Sequence, residues 1–504
     1  MAWYAGLGVA AQAAEIVVMV VALPLLVRSL GADKYGVLNL VLVIVSYLML
    51  LNCGLAQALT KLSAEALGRR ALHEVPMYFW IANAAVGVIG LGGAAALAAA
   101  APFLAGRVFS IPPGLAREAI SALQVAALAV PTAVITLNLT GVLEAHQHFA
   151  LVNALRAPWN VLNTLLPLAG ALAGAGMATM IWLIVAKNAL FALVLFALCW
   201  RLVPVLRAGF RWEGEVARRL FVFAGWTALL SPTVLVLSTL DRLLTGALLG
   251  MKALTYYAVP QQITNTLGAL ARAGTPVLYP TFSRLFESDR ERLSALHREA
   301  VACIALGMAL VGFVVAVCGR EILTLWMGSD FAQSATVLQI LCLGAFFGSL
   351  HQITSTLLQG TRYVRWVVAI TYLIFAAEGT LLWALMARGG VVGAAWASVL
   401  TQLLALVLLM GTAVRVGLVD RGGLVSARLV ATCAALLVLG LIGLKLKEAL
   451  APPPWLVFSS AAAVAAAGAW LAWRQVLDVS TRTSLTRALA RVRGGLLAPG
   501  AESA

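Results

Sequence analysis

The sequence predicts an all-α integral membrane protein with about 14 transmembrane helices, and three observations lead to this fold class. Hydrophobic residues make up 62% of the 504 residues and charged residues 11%, which is more apolar surface than a water-soluble fold can bury. Long apolar runs follow one another along the chain, and each is continuous, as in membrane helices, rather than alternating, as in membrane strands. A short signature also occurs twice: Leu30-Gly31 with Tyr35-Gly36 and, 219 residues beyond Gly31, Leu249-Gly250 with Tyr256-Tyr257.

The transmembrane helices are placed by cutting the chain at its polar turns. A bilayer core of roughly 30 Å needs about 20 apolar residues per helix. This rule gives fourteen spans, at approximately 6–28, 35–59, 76–102, 118–140, 156–174, 177–200, 220–248, 255–280, 299–318, 333–359, 365–387, 391–414, 427–445 and 453–473.

The distribution of Lys and Arg predicts the orientation of these spans. Loops that follow even-numbered spans, together with the C-terminal tail, hold 23 of the 35 Lys and Arg residues, and loops that follow odd-numbered spans hold 10. Because cytoplasmic loops are enriched in basic residues, we expect both termini in the cytoplasm. The same bias explains the net charge of +15, since the basic residues are scattered through short loops. We therefore expect no nucleic-acid partner.

The repeated signature predicts two halves of parallel topology. Its copies follow the first and seventh spans, so both turns are expected on the outer face. Such a duplicated, apolar chain is most simply a transporter whose lobes surround a central cavity and rock against each other. In the linker between the lobes, the spacing of Leu202, Leu206 and Phe210 predicts an interfacial helix on anionic lipid. The predicted segments are an N-terminal lobe at 1–200 (helices 1–6), a basic cytoplasmic linker at 201–219, a C-terminal lobe at 220–415 (helices 7–12), extra helices 13 and 14 at 416–474 and a basic cytoplasmic tail at 475–504.

Several functional classes find no support in the sequence. The six cysteines stand singly in apolar runs, and the five histidines do not cluster apart from His146 and His148, which face different ways on a helix, so we expect no metal site. There is no phosphate-binding G-x-x-x-x-G-K-[ST] motif, so we expect no cofactor and no ATP hydrolysis by this chain. The polar segments are too short for an extracytoplasmic catalytic domain, which argues against an enzyme.

Ionisable residues inside the spans mark the candidate site, because each needs a cavity or a partner in the membrane. They are Glu15, Lys187, Asp241, Arg242, Arg272 and Glu378. Four of them lie on spans one, seven and eight, beside the repeated turns. Amides join them there and in span two, namely Asn52, Gln57, Gln261, Gln262 and Asn265. We expect this set to line a polar, substrate-binding cavity between the lobes.

Each charged residue has a functional and a structural interpretation. Glu15 either carries a coupling proton or holds helices together. Asp241 and Arg242 bind substrate, with Asp241 a second candidate for ion coupling, or they anchor the outer interface. The planar guanidinium of Arg272 either binds phosphate oxygens of a substrate or extends to the cytoplasmic face of the membrane as a structural residue. Structural pairing is the favoured interpretation for Lys187 and Glu378.

Three stretches of the sequence carry a family resemblance: LGADKYGVL from Leu30, LDRLLTGALLG from Leu240 followed by Tyr256-Tyr257, and VLYPTFSRL from Val277. Over residues 6–415 the chain resembles the polysaccharide transporter family of O-antigen and exopolysaccharide flippases, within the multidrug/oligosaccharidyl-lipid/polysaccharide superfamily. The resemblance implies twelve core helices, alternating access and a polyprenyl-diphosphate-linked (undecaprenyl diphosphate) oligosaccharide as substrate. The two extra C-terminal helices depart from that family and are more reminiscent of lipid II flippases.

The leading hypothesis is therefore a monomeric flippase of the bacterial inner membrane. It would move the lipid-linked oligosaccharide from the cytoplasmic to the outer leaflet for surface polysaccharide biosynthesis, with membrane lipids, glycosyltransferases and a glycan polymerase as partners. Two alternatives stay open. One is an ion-coupled antiporter of the multidrug and toxin extrusion type, and the other is a membrane enzyme of glycan assembly.

Overall fold

The computed structural model describes residues 2–210, 212–237, 239–272, 275–419 and 453–475, and residues 431–445 apart from 434, 437, 441 and 444. Over these residues the chain is helical and contains no β-strand. The chain divides into two compact units, Met1–Ala258 and Val259–Ala504. The predicted all-α fold is thereby confirmed, while the predicted domain boundaries and the count of fourteen spans stay predictions.

The first unit contains ten helices among the residues that the structure describes, and an eleventh begins in it. They are α1 (Ala2–Leu30), α2 (Ala32–Leu48), α3 (Leu55–Gly68), α4 (Glu74–Phe103), α5 (Pro113–Ala127), α6 (Ala129–Ala145), α7 (Phe149–Leu172), α8 (Met177–Leu202), α9 (Gly214–Leu237) and α10 (Leu240–Leu248), followed by the start of α11 (Met251–Arg272). Its core lies where α3, α4, α6 and α8 pack together, around Leu59, Tyr78, Phe79, Val134 and Leu143.

The second unit holds the end of α11 and the helices that follow it. These are α12 (Thr275–Ser288), α13 (Arg290–Met327), α14 (Ala335–Gln359), α15 (Val364–Arg415) and α16 (Pro454–Gln475). The predicted fourteenth span corresponds to α16, which packs on α13 through Phe313, Val317, Cys318, Val457 and Ala461. The thirteenth span (427–445) lies largely outside the described residues, and the tail beyond 475 lies wholly outside them.

Length and composition support several crossings of a membrane. In the described part of the chain, seven helical segments are long and apolar enough to span a bilayer. They are Ala32–Asn52, Glu74–Val108, Pro113–Ala145, Met177–Leu202, Arg290–Val315, Ser329–Gln359 and Val364–Arg415.

Residues with positive φ break the helices at two places, one inside a predicted span and one between two predicted spans. The span predicted at 35–59 breaks at Cys53 (φ 49) and Gly54 (φ 71), between a short 3₁₀ helix and α3. A Cβ built on Gly54 would overlap the side chain of Thr227, so this position suits only glycine. In α15, Gly390 (φ 54, ψ −131) leaves the helical conformation between the spans predicted at 365–387 and 391–414. The polar-turn rule therefore locates this break correctly.

The predicted interfacial helix in the linker is wrong. Helix α8 ends at Leu202, residues Pro204–Ala208 form a short 3₁₀ helix, and α9 begins at Gly214. Proline lacks the N–H that a continuing helix needs and pushes the preceding residue to an extended backbone, so Pro204 ends α8. Leu206 is buried rather than turned toward lipid, and its carbonyl accepts a 3.2 Å hydrogen bond from the Trp80 indole. Leu202 is exposed at the end of α8, and Phe210 is exposed but lies outside any helix, so the three predicted residues do not form one apolar helical face.

Candidate functional site

The two copies of the repeated signature lie against each other within the first unit. Helix α2 begins immediately after Gly31 (φ 78) and α11 immediately after Gly250 (φ 89), so both copies place a positive-φ glycine before a helix. The Thr255 hydroxyl donates a 2.6 Å hydrogen bond to the Ala32 carbonyl. A Cβ built on Gly36 would overlap the Met251 carbonyl oxygen and lie 2.8 Å from its carbon, so the two backbones touch.

These two contacts are reciprocal. With the copies aligned on Gly31 and Gly250, Ala32 corresponds to Met251 and Gly36 corresponds to Thr255. Ala32 contacts Thr255 and Gly36 contacts Met251, which is the pattern of a two-fold symmetric interface. The first turns of α2 and α11 therefore cross as a pseudo-symmetric pair.

Asp241 and Arg242 lie at the start of α10, and Asp241 contacts the second copy of the signature on α11. Asp241 is 3% exposed, and its carboxylate accepts a 2.7 Å hydrogen bond from the hydroxyl of the fully buried Tyr257. The other carboxylate oxygen accepts the Arg242 backbone N–H at 2.8 Å. The Asp241 carbonyl also accepts from Thr245 at 2.6 Å. The Asp241 carboxylate therefore joins α10 to α11. Tyr257 is part of the repeated signature, but the sequence did not indicate that its hydroxyl binds Asp241.

Asn52 and Gln57 occupy different environments on either side of the break before α3. Asn52 is buried, donates to the Asn138 amide oxygen at 3.2 Å and accepts the Ala56 N–H at 2.8 Å. Gln57 is exposed. The structure thus gives Asn52 a structural partner on α6, which the sequence did not suggest, and leaves Gln57 accessible.

Two ionisable residues of the N-terminal half lie on α1 and α8. Glu15 is exposed on α1, which packs against α7. Lys187 is 8% exposed on α8, and its ammonium group donates a 2.6 Å hydrogen bond to the Asn163 amide oxygen on α7. Trp159 completes this cluster by stacking on Phe191 and donating to the Lys187 carbonyl at 3.2 Å. An intramembrane amide on span five was the sequence signal for this partner.

The remaining candidates lie on α11 and α15 in the second unit. Gln261 is buried, Gln262 is partly buried and Asn265 is exposed. Positions 261, 265 and 272 fall on one face of α11, because residues four and eleven apart are nearly aligned along a helix. Arg272 is the last residue of α11, and its side chain lies outside the described part. Glu378 is buried in α15.

Comparison with known proteins decides the family. A family model described as "Polysaccharide biosynthesis protein" matches residues 25–336. The chain belongs to this family. Among curated proteins, the "Putative O-antigen transporter" of Shigella flexneri is 24% identical over 189 residues, which cover 35% of this chain and 42% of that relative. The matched region thus spans less than half the length of this relative.

The fold of this polysaccharide biosynthesis family member is similar to solved structures of transporters of the MOP superfamily. An inward-facing multidrug resistance MATE family transporter of that superfamily matches with a TM-score of 0.66 and 14% identity, over 82% of this chain and 98% of the other. The lipid II flippase MurJ, in an inward closed conformation, matches with a TM-score of 0.66 and 11% identity, over 91% and 98%. A MOP superfamily transporter from Pyrococcus furiosus, whose binding pocket is described as having reversed polarity, matches with a TM-score of 0.56 and 16% identity, over 82% and 94%. The chain is therefore a multi-pass membrane protein with a transporter fold.

Proposed function

We propose that this protein is a flippase that moves a polyprenyl-diphosphate-linked oligosaccharide from the cytoplasmic to the outer leaflet of a bacterial inner membrane. Membership of the polysaccharide biosynthesis family supports a role in glycan assembly. A fold shared with a lipid II flippase supports a lipid-linked cargo. The bias of Lys and Arg toward loops after even-numbered spans supports cytoplasmic termini.

The observation that carries the proposal is the polar face of α11. Gln261, Asn265 and Arg272 occupy positions on one face of that helix. A guanidinium group matches the oxygens of a diphosphate with two parallel hydrogen bonds, and amides bind sugar hydroxyls and phosphate oxygens without adding charge. Basic and amide groups together suit an anionic, glycosylated headgroup better than a cationic drug.

The proposed cycle needs no covalent chemistry in this chain. Alternating access would present the α11 face first to the cytoplasm and then to the outside, and the lipid tail would stay in the membrane. The driving force would be the demand of a downstream polymerase for substrate made by glycosyltransferases, or an ion gradient coupled through Glu15. Asp241 is the weaker coupling candidate, because its carboxylate is buried and already accepts from Tyr257 and Arg242.

The substitution Arg272→Ala tests the headgroup contact. Purified protein in proteoliposomes is supplied with a fluorescent undecaprenyl-diphosphate oligosaccharide, and outer-leaflet substrate is measured by enzymatic or chemical capture. We expect R272A to lose transport and R272K to retain part of it, since lysine keeps the charge but not the planar fork. The matched control is R388A, at an exposed arginine beside the turn in α15. Equal transport by R272A and R388A would refute the assignment.

A drug-efflux assay separates the flippase from the multidrug alternative, whose fold this chain shares. Cells that express the protein are loaded with ethidium, and its export is followed by fluorescence. We expect no efflux above the vector control, because the α11 face offers a basic residue and amides rather than carboxylates. Efflux that R272A leaves unchanged would favour the antiporter.

A further inference from the structure

We propose that one side of α7 binds the sugar residues of the glycan. The inference deepens the proposed function and rests on it for the lipid-linked cargo. The binding surface, called here the α7 polar face, consists of Asn153, Arg156, Asn160, Asn163 and Thr164. Its amides and hydroxyl would bind the glycan, while the diphosphate is bound elsewhere.

The spacing of these residues makes the α7 polar face continuous. Positions 153, 156, 160, 163 and 164 are separated by steps of three or four residues, so their side chains lie on one side of the helix, a turn apart. The distance along the helix axis from position 153 to position 164 is about 16 Å. By the predicted orientation, the face runs inward from the cytoplasmic end of the fifth span.

Helix α7 is accessible on its polar face and also on an apolar one. Asn153 and Asn163 are exposed, and Asn160 is partly exposed. Leu165 and Ala169 are exposed too, and they lie about 140° and 180° round the helix from Asn160. An amide that faces hydrocarbon has no hydrogen-bond partner there, which costs free energy. The apolar face therefore suits lipid, and the polar face suits a water-filled path.

The α7 polar face has hydrogen-bonding groups to spare. In the part of the chain that the structure describes, Asn153, Asn160 and Thr164 make no side-chain hydrogen bond. Pro167 has no N–H to donate to the Asn163 carbonyl, so this backbone acceptor lacks its helical partner. Amides offer both donors and acceptors, and so do the hydroxyl groups of a sugar.

Lys187 fixes the orientation of the Asn163 amide. Its ammonium group donates to the Asn163 amide oxygen at 2.6 Å, and because an ammonium group can only donate, that oxygen must be turned toward α8. The NH₂ group of Asn163 then points away from Lys187, with two N–H donors for an acceptor on the α7 polar face. Trp159 holds α7 against this part of α8 by donating to the Lys187 carbonyl at 3.2 Å.

The charge of the α7 polar face also suits a sugar. Arg156 is paired with Glu144 at 3.5 Å, so its charge is compensated. Lys187 is 8% exposed and forms no ion pair with any residue that the structure describes. One uncompensated cation beside neutral amides favours the oxygens of sugars, including the carboxylate of an acidic sugar, over a cationic or apolar ligand.

Two substrates that differ only in their glycan test the proposal. Proteoliposomes are supplied, below saturation, with undecaprenyl diphosphate that carries either the oligosaccharide repeat of the host's surface polysaccharide or only its first sugar. Asn160→Leu keeps the side-chain volume but removes the hydrogen bonds. We expect N160L to lower the ratio of oligosaccharide to single-sugar transport by roughly fivefold, as the loss of one hydrogen bond would.

Three further variants define what this ratio means. Gln124→Leu, at an exposed amide of α5, is the matched control and should leave the ratio unchanged. R272A should lower both rates alike, because both substrates carry the diphosphate. K187M should lower the ratio, since the Asn163 amide loses the donor that orients it, whereas a direct contact of Lys187 with the diphosphate would lower both rates alike.

A second measurement does not depend on transport. In a background whose six cysteines are replaced, N160C and L165C are treated with a membrane-impermeant maleimide in broken membranes, where both sides are accessible. We expect N160C to be labelled severalfold faster than L165C, because water reaches only the polar face of α7. The lipid-free oligosaccharide repeat should slow the labelling of N160C, and inorganic diphosphate at the same concentration should not.

The outcomes separate this site from the flippase. Equal ratios for N160L and Q124L overturn the binding of the glycan by α7 and leave the flippase standing. Labelling of N160C that is no faster than that of L165C, or that only diphosphate slows, also overturns it. If the wild-type protein transports neither substrate, the proposed function fails, and the protection of N160C still decides whether α7 binds sugars.

Discussion

Tyr257 donates a 2.7 Å hydrogen bond to the carboxylate of Asp241, and both residues are buried. The pair joins two helices of the second signature, so it makes Asp241 a part of the framework. A carboxylate in this position costs desolvation energy that its hydrogen bonds must offset. The contact therefore predicts that Asp241 stabilises the fold, whether or not it also takes part in transport.

The first prediction concerns the Tyr257 hydroxyl. We expect Tyr257→Phe to lower the free energy of unfolding by about 1–3 kcal/mol, because it removes a donor from a charged, buried acceptor. Thermal unfolding of the purified protein in detergent measures the change. Tyr279→Phe, at an exposed tyrosine, is the control and should leave the midpoint unchanged. Equal midpoints for the two variants would show that the hydroxyl contributes nothing.

The second prediction separates Asn52 from Gln57. Asn52→Ala removes a donor to Asn138 and an acceptor of the Ala56 N–H, so it should destabilise the protein by about 1–3 kcal/mol. Gln57→Ala, at an exposed residue, should change stability by less than about 0.5 kcal/mol. If Gln57 contacts the substrate, Q57A should instead raise the substrate concentration needed for half-maximal transport. Normal stability of N52A would contradict the structural role.

A third prediction concerns the turn in α15. A Cβ built on Gly393 would overlap the Leu385 carbonyl, whereas that on Gly389 meets open space. We expect Gly393→Ala to reduce the yield of monodisperse protein in size-exclusion chromatography and Gly389→Ala to leave it unchanged, because backbone cannot yield to the added methyl. The reverse order of yields would contradict the close approach.

The sequence was sufficient for the helical fold because the length of an apolar run reports directly on a membrane crossing. It missed the break at Cys53–Gly54, where the close approach of Thr227, far away in the chain, leaves no room for a side chain at position 54. The repeat was visible from its spacing, but the contact between its copies was not. The spacing of the two copies shows that the segments are equivalent, but it does not show that they are in contact.

The candidate site was predictable in part for similar reasons. An ionisable residue in an apolar run stands out, so Lys187 and Asp241 were found. Asn163 and Tyr257 are visible in the sequence as polar residues of apolar runs, but only the packing of neighbouring helices shows that they are the partners of Lys187 and Asp241. Amides and tyrosines on spans beside a buried charge are therefore the signal that sequence reasoning should weigh more heavily.

Glu15 gives a prediction about coupling. It is exposed on α1, so a neutral substitute should leave folding intact and alter only a function that needs the carboxylate. In proteoliposomes with an imposed proton gradient, we expect Glu15→Gln to lose the acceleration that the gradient produces while keeping the basal rate. Glu213→Gln, at an exposed residue before α9, is the control. Unchanged gradient dependence in E15Q would remove Glu15 from the coupling mechanism.

The last prediction separates a structural lysine from a functional one. A buried ammonium that loses its hydrogen-bond acceptor is destabilised by about 1.5–3 kcal/mol, whereas an apolar replacement of the ammonium removes the charge that has to be compensated. We therefore expect Asn163→Leu to destabilise more than Lys187→Met, and the double variant to be close to K187M, in thermal unfolding. Additive effects would show that the 2.6 Å contact carries no coupling. Transport by K187M then tells whether the positive charge itself is needed, since its loss in a stable variant would place Lys187 on the path of the anionic headgroup.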